Sequence, residues 1–120
     1  MAVLANVVVA AVALLHIYIL VLEMFLWTTP LGRRVFGTDA DFAQRSAVLA
    51  ANQGLYNGFL AAGLIWGLAA GGSVGYQAKV FFLVCVVIAG LYGGVSVNRR
   101  ILIVQGVPAA IGLFLVLAAH

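Results

Sequence analysis

Charge is what this chain has least of. Only 8% of its 120 residues are charged, three acids against six bases, where an ordinary soluble domain carries about a quarter. So few charged side chains cannot cover the surface of a water-soluble domain, and 66% of the sequence is apolar, so most of those side chains must face lipid. The only basic runs are the pairs Arg33-Arg34 and Arg99-Arg100, with no aromatic platform between bases. The net charge of +3 therefore does not point to nucleic acid. The one cysteine, Cys85, stands in an apolar run, which excludes a disulfide framework and a thiolate metal site.

What the chain does have is apolar length. Four runs, about Ala2 to Trp27, Ser46 to Ala70, Val80 to Val97 and Ile101 to Ala119, each approach the ~20 residues that cross a ~30 Å hydrocarbon layer at 1.5 Å per residue. The first run has no base before it and is longer than the roughly 7–15 residues of a signal-peptide core, so it reads as a span. The alternation of a membrane β-barrel is missing from all four. The expectation is an all-α polytopic membrane protein, a single domain over residues 1–120 with four transmembrane helices in one bundle at about 2–27, 39–70, 78–98 and 101–119.

Thr28-Thr29-Pro30 stops the first helix, and Gly32 and Gly37 allow turns. Thr38, three residues before Asp41, reads as the N-cap of the second. The connection holding Arg33, Arg34 and Arg45 and that holding Arg99 and Arg100 lie on one side, against Lys79 alone on the other. The positive-inside rule then puts both termini outside. Trp27 and Tyr76 fall where interfacial aromatic belts are expected.

Polar residues inside apolar helices carry the functional information. His16 and Glu23 are seven residues apart, about 700° of rotation, so they share one face of the first helix. The bland alternatives are an interfacial acid for Glu23 and a neutral, hydrogen-bonded imidazole for His16. Asn52, Gln53, Tyr56 and Asn57 spread over about 140° of the second helix at 100° per residue, a wedge too wide to leave on lipid and expected to face the bundle. Tyr92 and Ser96 on the third helix and Gln105 on the fourth complete the set, beside the carbonyl that Pro108 leaves without its donor. All are expected in the cytoplasmic half, with His16 deepest. Gly54 and Gly58, and Gly90 and Gly94, offer close helix contacts and a route to a homo-oligomer.

The strings His16-x-Tyr18, Leu22-Glu23-Met24-Phe25-Leu26-Trp27-Thr28-Thr29-Pro30, Ala51-Asn52-Gln53-Gly54-Leu55-Tyr56-Asn57 and Gln105-Gly106-Val107-Pro108 resemble a bacterial integral membrane family catalogued as domain of unknown function 1304. The resemblance covers nearly the whole chain and implies a four-helix membrane protein, in a bacterium its inner membrane. It brings no activity with it.

Three functions fit these residues. One is a cofactor-free membrane enzyme acting on a lipophilic small molecule by isomerisation, epoxide opening or cyclisation. Glu23, His16 and Tyr56 would be its catalytic groups, with Asn52, Gln53, Asn57, Tyr92 and Gln105 binding substrate. His16 and Glu23 alone, about 10 Å apart along one helix, make a poor metal site. A proton-coupled exporter of hydrophobic cations with Glu23 as carrier is the second, by analogy of size and architecture with small multidrug transporters. The third is an accessory subunit in which the glycines mediate assembly and the arginine pairs meet anionic lipid. Crowding of directional hydrogen-bonding groups favours the enzyme.

Overall fold

The computed structural model describes residues 1–120. It is all-helical, 88% helix with no strands. The helices are α1 (Ala2–Met24), α2 (Pro30–Phe36), α3 (Ala40–Ala70), α4 (Gly72–Ser96), α5 (Arg99–Ile101) and α6 (Val107–Ala118), with a π-helical turn, Leu102–Gly106, joining the last two. Continuous helix therefore forms five segments rather than the expected four, and the extra one is α2. Three segments are long and apolar enough to cross a membrane: Ala2–Met24, Gly72–Ser96 and Arg99–Ala118. The 31-residue α3 exceeds them in length but not in hydropathy, because its amides offset its leucines and alanines.

The first connection departs most from expectation. α1 ends at Met24, not Trp27, through a widened turn in which Leu26 N–H donates to the Val21 carbonyl at 3.2 Å. Thr29 then caps α2: its hydroxyl donates to Leu26 O at 2.6 Å and accepts from Gly32 N at 3.3 Å, with Pro30 in the first turn. A side chain on Gly32 would run into the Leu26 carbonyl. Gly37, at φ 69°, closes α2 in the left-handed conformation that glycine adopts without strain. The N-cap of α3 is Asp39 rather than Thr38. Asp39 Oδ1 accepts from Phe42 N at 2.7 Å, while the buried Thr38 hydroxyl has no partner.

The chain divides into two compact units, Leu15–Phe59 and Met1–Leu14 with Leu60–His120. In the first, Trp27 Nε1 donates to Ser46 Oγ at 3.1 Å and its ring lies 4.8 Å from that of Phe36, so Trp27 ties the connection to α3. The second holds an apolar core of Ala5, Val9, Val12, Ala13, Leu64, Leu83, Val86, Ala109, Leu115 and Val116. Gly71 and Gly72, both at positive φ, turn the chain so tightly that α4 starts at Gly72 instead of 78. Lys79, expected in a connection, is thus inside a helix. At Gly90 an added Cβ would stand 2.6 Å from the Cα and N of Gly106, so backbone meets backbone between α4 and the π-turn.

Candidate functional site

Glu23 sits in the last turn of α1, and although it is one helical turn from the chain reversal it does not reach out to solvent. It is 8% exposed. Asn57 of α3 donates from Nδ2 to Glu23 Oε1 at 2.6 Å, a short amide-to-carboxyl bond that fixes both side chains. The second carboxyl oxygen is not engaged by the protein. Gly54, one turn before Asn57, makes the approach possible. A Cβ there would lie 2.7 Å from Met24 Cγ, 3.0 Å from Glu23 Cβ and 3.2 Å from the Leu20 carbonyl. Gly58 does the same against Leu20 Cδ1, at 2.6 Å.

His16, two turns before Glu23 on the same stripe, is fully buried at 0% exposed and has an interaction partner. The shared-face expectation for these two residues agrees with their burial. The wedge on α3 behaves differently. Asn57 turns inward to Glu23, but Asn52 and Gln53 are exposed, and Tyr56 is 55% exposed with its ring edge-on to Phe59 at 5.9 Å. A wedge of about 140° is wider than the stripe one helix neighbour can cover, so its far side stays open. The four residues make one continuous polar strip with Glu23 at its inner edge.

Tyr92 and Gln105 belong to the other unit. Tyr92 is 71% exposed, and Ser96 spends its hydroxyl on the Tyr92 carbonyl at 2.6 Å, one turn back on α4. Gln105 is half-buried in the π-turn and partnered. Gly54, Gly58, Gly90 and Gly94 are all occupied within the chain, the last against Leu102 Cβ at 2.5 Å. No three His, Cys, Asp or Glu side chains come together as a metal site. Sequence reasoning missed the role of Gly54 in seating the Glu23–Asn57 pair; its signal was a glycine one turn from an amide, on a helix facing an acid.

The profile of the family described as protein of unknown function DUF1304 matches residues 8–117. The chain belongs to this family. It is also similar to the uncharacterized protein YpaA of Lactococcus lactis subsp. lactis (strain IL1403), 34% identical over 104 residues that cover 85% of this chain and 87% of that one. No solved structure matches. The matched residues take in α1 from Val8 onward and all of α3, so the Glu23–Asn57 pair and the polar strip lie inside the matched region.

Proposed function

We propose that this family member is a four-span protein of the bacterial inner membrane in which Glu23 performs acid–base chemistry on a lipophilic small molecule. The observation that carries the reading is the Asn57–Glu23 hydrogen bond of 2.6 Å. It holds one carboxyl oxygen in a fixed direction and leaves the other open, as a general acid or base requires. Asn52, Gln53 and Tyr56 form an open polar strip beside it. Those groups suit the orientation of a substrate carbonyl, epoxide or hydroxyl, with Tyr56 as donor to a developing oxyanion. His16, expected to share the catalytic work, is sealed in the helix packing about 10 Å along α1, so in this reading the proton transfer falls to Glu23 and Tyr56. Isomerisation, epoxide opening and cyclisation each need only such proton transfers and no cofactor.

The same reading takes α3 across the membrane with the three more apolar segments. From Ser46 to Ala70 it has no charged side chain, enough length for a span. The connections bearing Arg33, Arg34 and Arg45, and Arg99 and Arg100, then face the cytoplasm. Native mass spectrometry on protein gently extracted from its own membrane tests the assignment, comparing wild type with Glu23→Gln and Tyr56→Phe. A small lipophilic molecule retained by wild type and lost from both folded variants is the expected result, and its class defines the turnover assay. Equal retention by all three, or none by any, refutes the site; variants that fall apart make the polar residues structural.

A further inference from the structure

The face of α3 turned away from α1 is unpartnered, and its side chains are not those of a plain lipid-facing surface. Gly54 and Gly58 lie against Leu20, Glu23 and Met24 of α1, and at 100° per residue Asn52 and Tyr56 stand about 160° round the helix from them. Both are exposed, and neither side chain is hydrogen-bonded within the chain. Asp41, Arg45, Leu49, Asn52, Tyr56 and Phe59 run along this face, all of them exposed. From Arg45 onward their spacing alternates between four and three residues, the repeat of a left-handed helix pair. The stripe is about 27 Å long at 1.5 Å per residue.

This stripe is complementary to a second copy of itself. Positive-inside insertion gives every copy the same orientation, so two α3 helices meet in parallel, each residue opposite its equivalent across a twofold axis. An amide suits such a position because it carries both donors and an acceptor: the Asn52 N–H of each copy donates to the Asn52 carbonyl of the other. Leu49 and Phe59 supply apolar contact on either side. At the end of the stripe nearest the arginines, Asp41 and Arg45 form a 3.0 Å ion pair, so two copies meet there without net repulsion. Gly54 and Gly58, expected to draw copies together, are already occupied by α1.

We propose that the protein is a parallel dimer joined along this stripe of α3, with Asn52 paired to its equivalent at the centre. The inference rests on the reading above only in taking α3 across the membrane, where an exposed amide without a partner is costly. A single polar side chain in such a seam fixes register and two-chain stoichiometry. The flank of α3 that carries Gln53 and Asn57 stays open, as a crevice between α1 and the second copy. Asn52 and Tyr56 stand about 20° to either side of the seam line. Each crevice is therefore bordered by its own Tyr56 and by the Asn52 of the other copy, whose remaining N–H is left for a ligand. The site beside the Glu23–Asn57 pair is thus completed only by the partner.

Single cysteines are placed in the full chain carrying Cys85→Ser and oxidised in the native membrane with copper phenanthroline. Leu49→Cys and Phe59→Cys cross-link to a dimer and no further. Leu55→Cys, exposed but about 80° off the seam, does not. Energy transfer between labelled copies in liposomes gives the second reading. Asn52→Leu weakens the dimer about threefold to fifteenfold, the value of an interhelical hydrogen bond, and Asn52→Gln restores most of it. Equal cross-linking at Leu55→Cys, no cross-link at either seam position, cross-links only to other proteins, a ladder beyond the dimer, or an Asn52→Leu dissociation constant equal to wild type each overturns the proposal. Neither reading involves a ligand, and Glu23→Gln leaves both unchanged. A dimer that retains no ligand refutes the acid–base site alone, and a monomer that retains one refutes the dimer alone.

Discussion

Gly54→Ala tests whether the Glu23–Asn57 pair depends on close helix approach. The new methyl meets Met24 Cγ at 2.7 Å, which a flexible side chain relieves, but also Glu23 Cβ at 3.0 Å and the Leu20 carbonyl at 3.2 Å, which are tied to the backbone of α1. Restoring carbon contacts to about 3.5–4.0 Å requires roughly 0.5–1 Å of local separation. The same displacement stretches the hydrogen bond from 2.6 Å to about 3.1–3.6 Å, at or beyond the limit of useful geometry. Overpacking costs about 1–3 kcal/mol, and replacing a mid-helix glycine by alanine returns about 1 kcal/mol, so stability alone falls only modestly. The informative quantity is the coupling. Asn57→Ala in the wild-type background loses the hydrogen bond, worth about 0.6–1.7 kcal/mol between membrane helices, whereas in Gly54→Ala that bond is already gone. A double-mutant cycle by unfolding in mixed micelles should show a coupling of that size. If Asn57→Ala costs the same in both backgrounds, Gly54 does not seat the pair and the reasoning fails.

Further expectations follow from the same contacts, each read by unfolding in mixed micelles unless another measurement is named. Gly90→Ala drives a methyl into the backbone of Gly106, which no side chain can relieve, and destabilises by the top of the ~1–3 kcal/mol overpacking range or more; Gly58→Ala meets only the mobile Leu20 Cδ1 and stays within about 0.5 kcal/mol of wild type. Thr29→Ala removes the cap of α2 at a cost of about 1 kcal/mol, and Thr29→Ser recovers it. Asn52→Leu and Gln53→Leu, at exposed positions, leave stability within about 0.5 kcal/mol and abolish ligand retention in native mass spectrometry; unfolding of both would make the strip a packing element.

Fold class was legible in the sequence because 8% charge and long apolar runs leave few solutions besides helices when backbone groups must be satisfied in hydrocarbon. Which side of a helix faces its neighbour was legible only in part. His16 and Glu23 share a stripe by simple rotation and both are buried. The α3 wedge shares a helix but not a fate, since Asn57 turns inward and Tyr56 outward, and sequence spacing carries no information about how wide a contact the neighbour makes. Helix α2 was signalled by Thr29-Pro30, a cap followed by a first-turn proline, yet the same residues also read as the stop of α1. They do both, because the Leu26 carbonyl accepts from the Thr29 hydroxyl. Thr38 against Asp39 was a choice between two adjacent good caps, decided by which oxygen reaches the Phe42 N–H.

The open strip on α3 then becomes an energetic requirement. A polar group placed in hydrocarbon without a partner costs several kcal/mol, and on the proposed topology Asn52 and Gln53 lie within the span. An accessory subunit would have to satisfy those amides with water or with polar side chains of the chain it assembles with. A ligand with its own acceptors and donors satisfies them directly, and the geometry then sets it beside the one acidic side chain in α1, whose carboxyl is half committed to Asn57 and half free. The polar strip and the buried acid therefore support one explanation together, where either alone would fit scaffolding equally well.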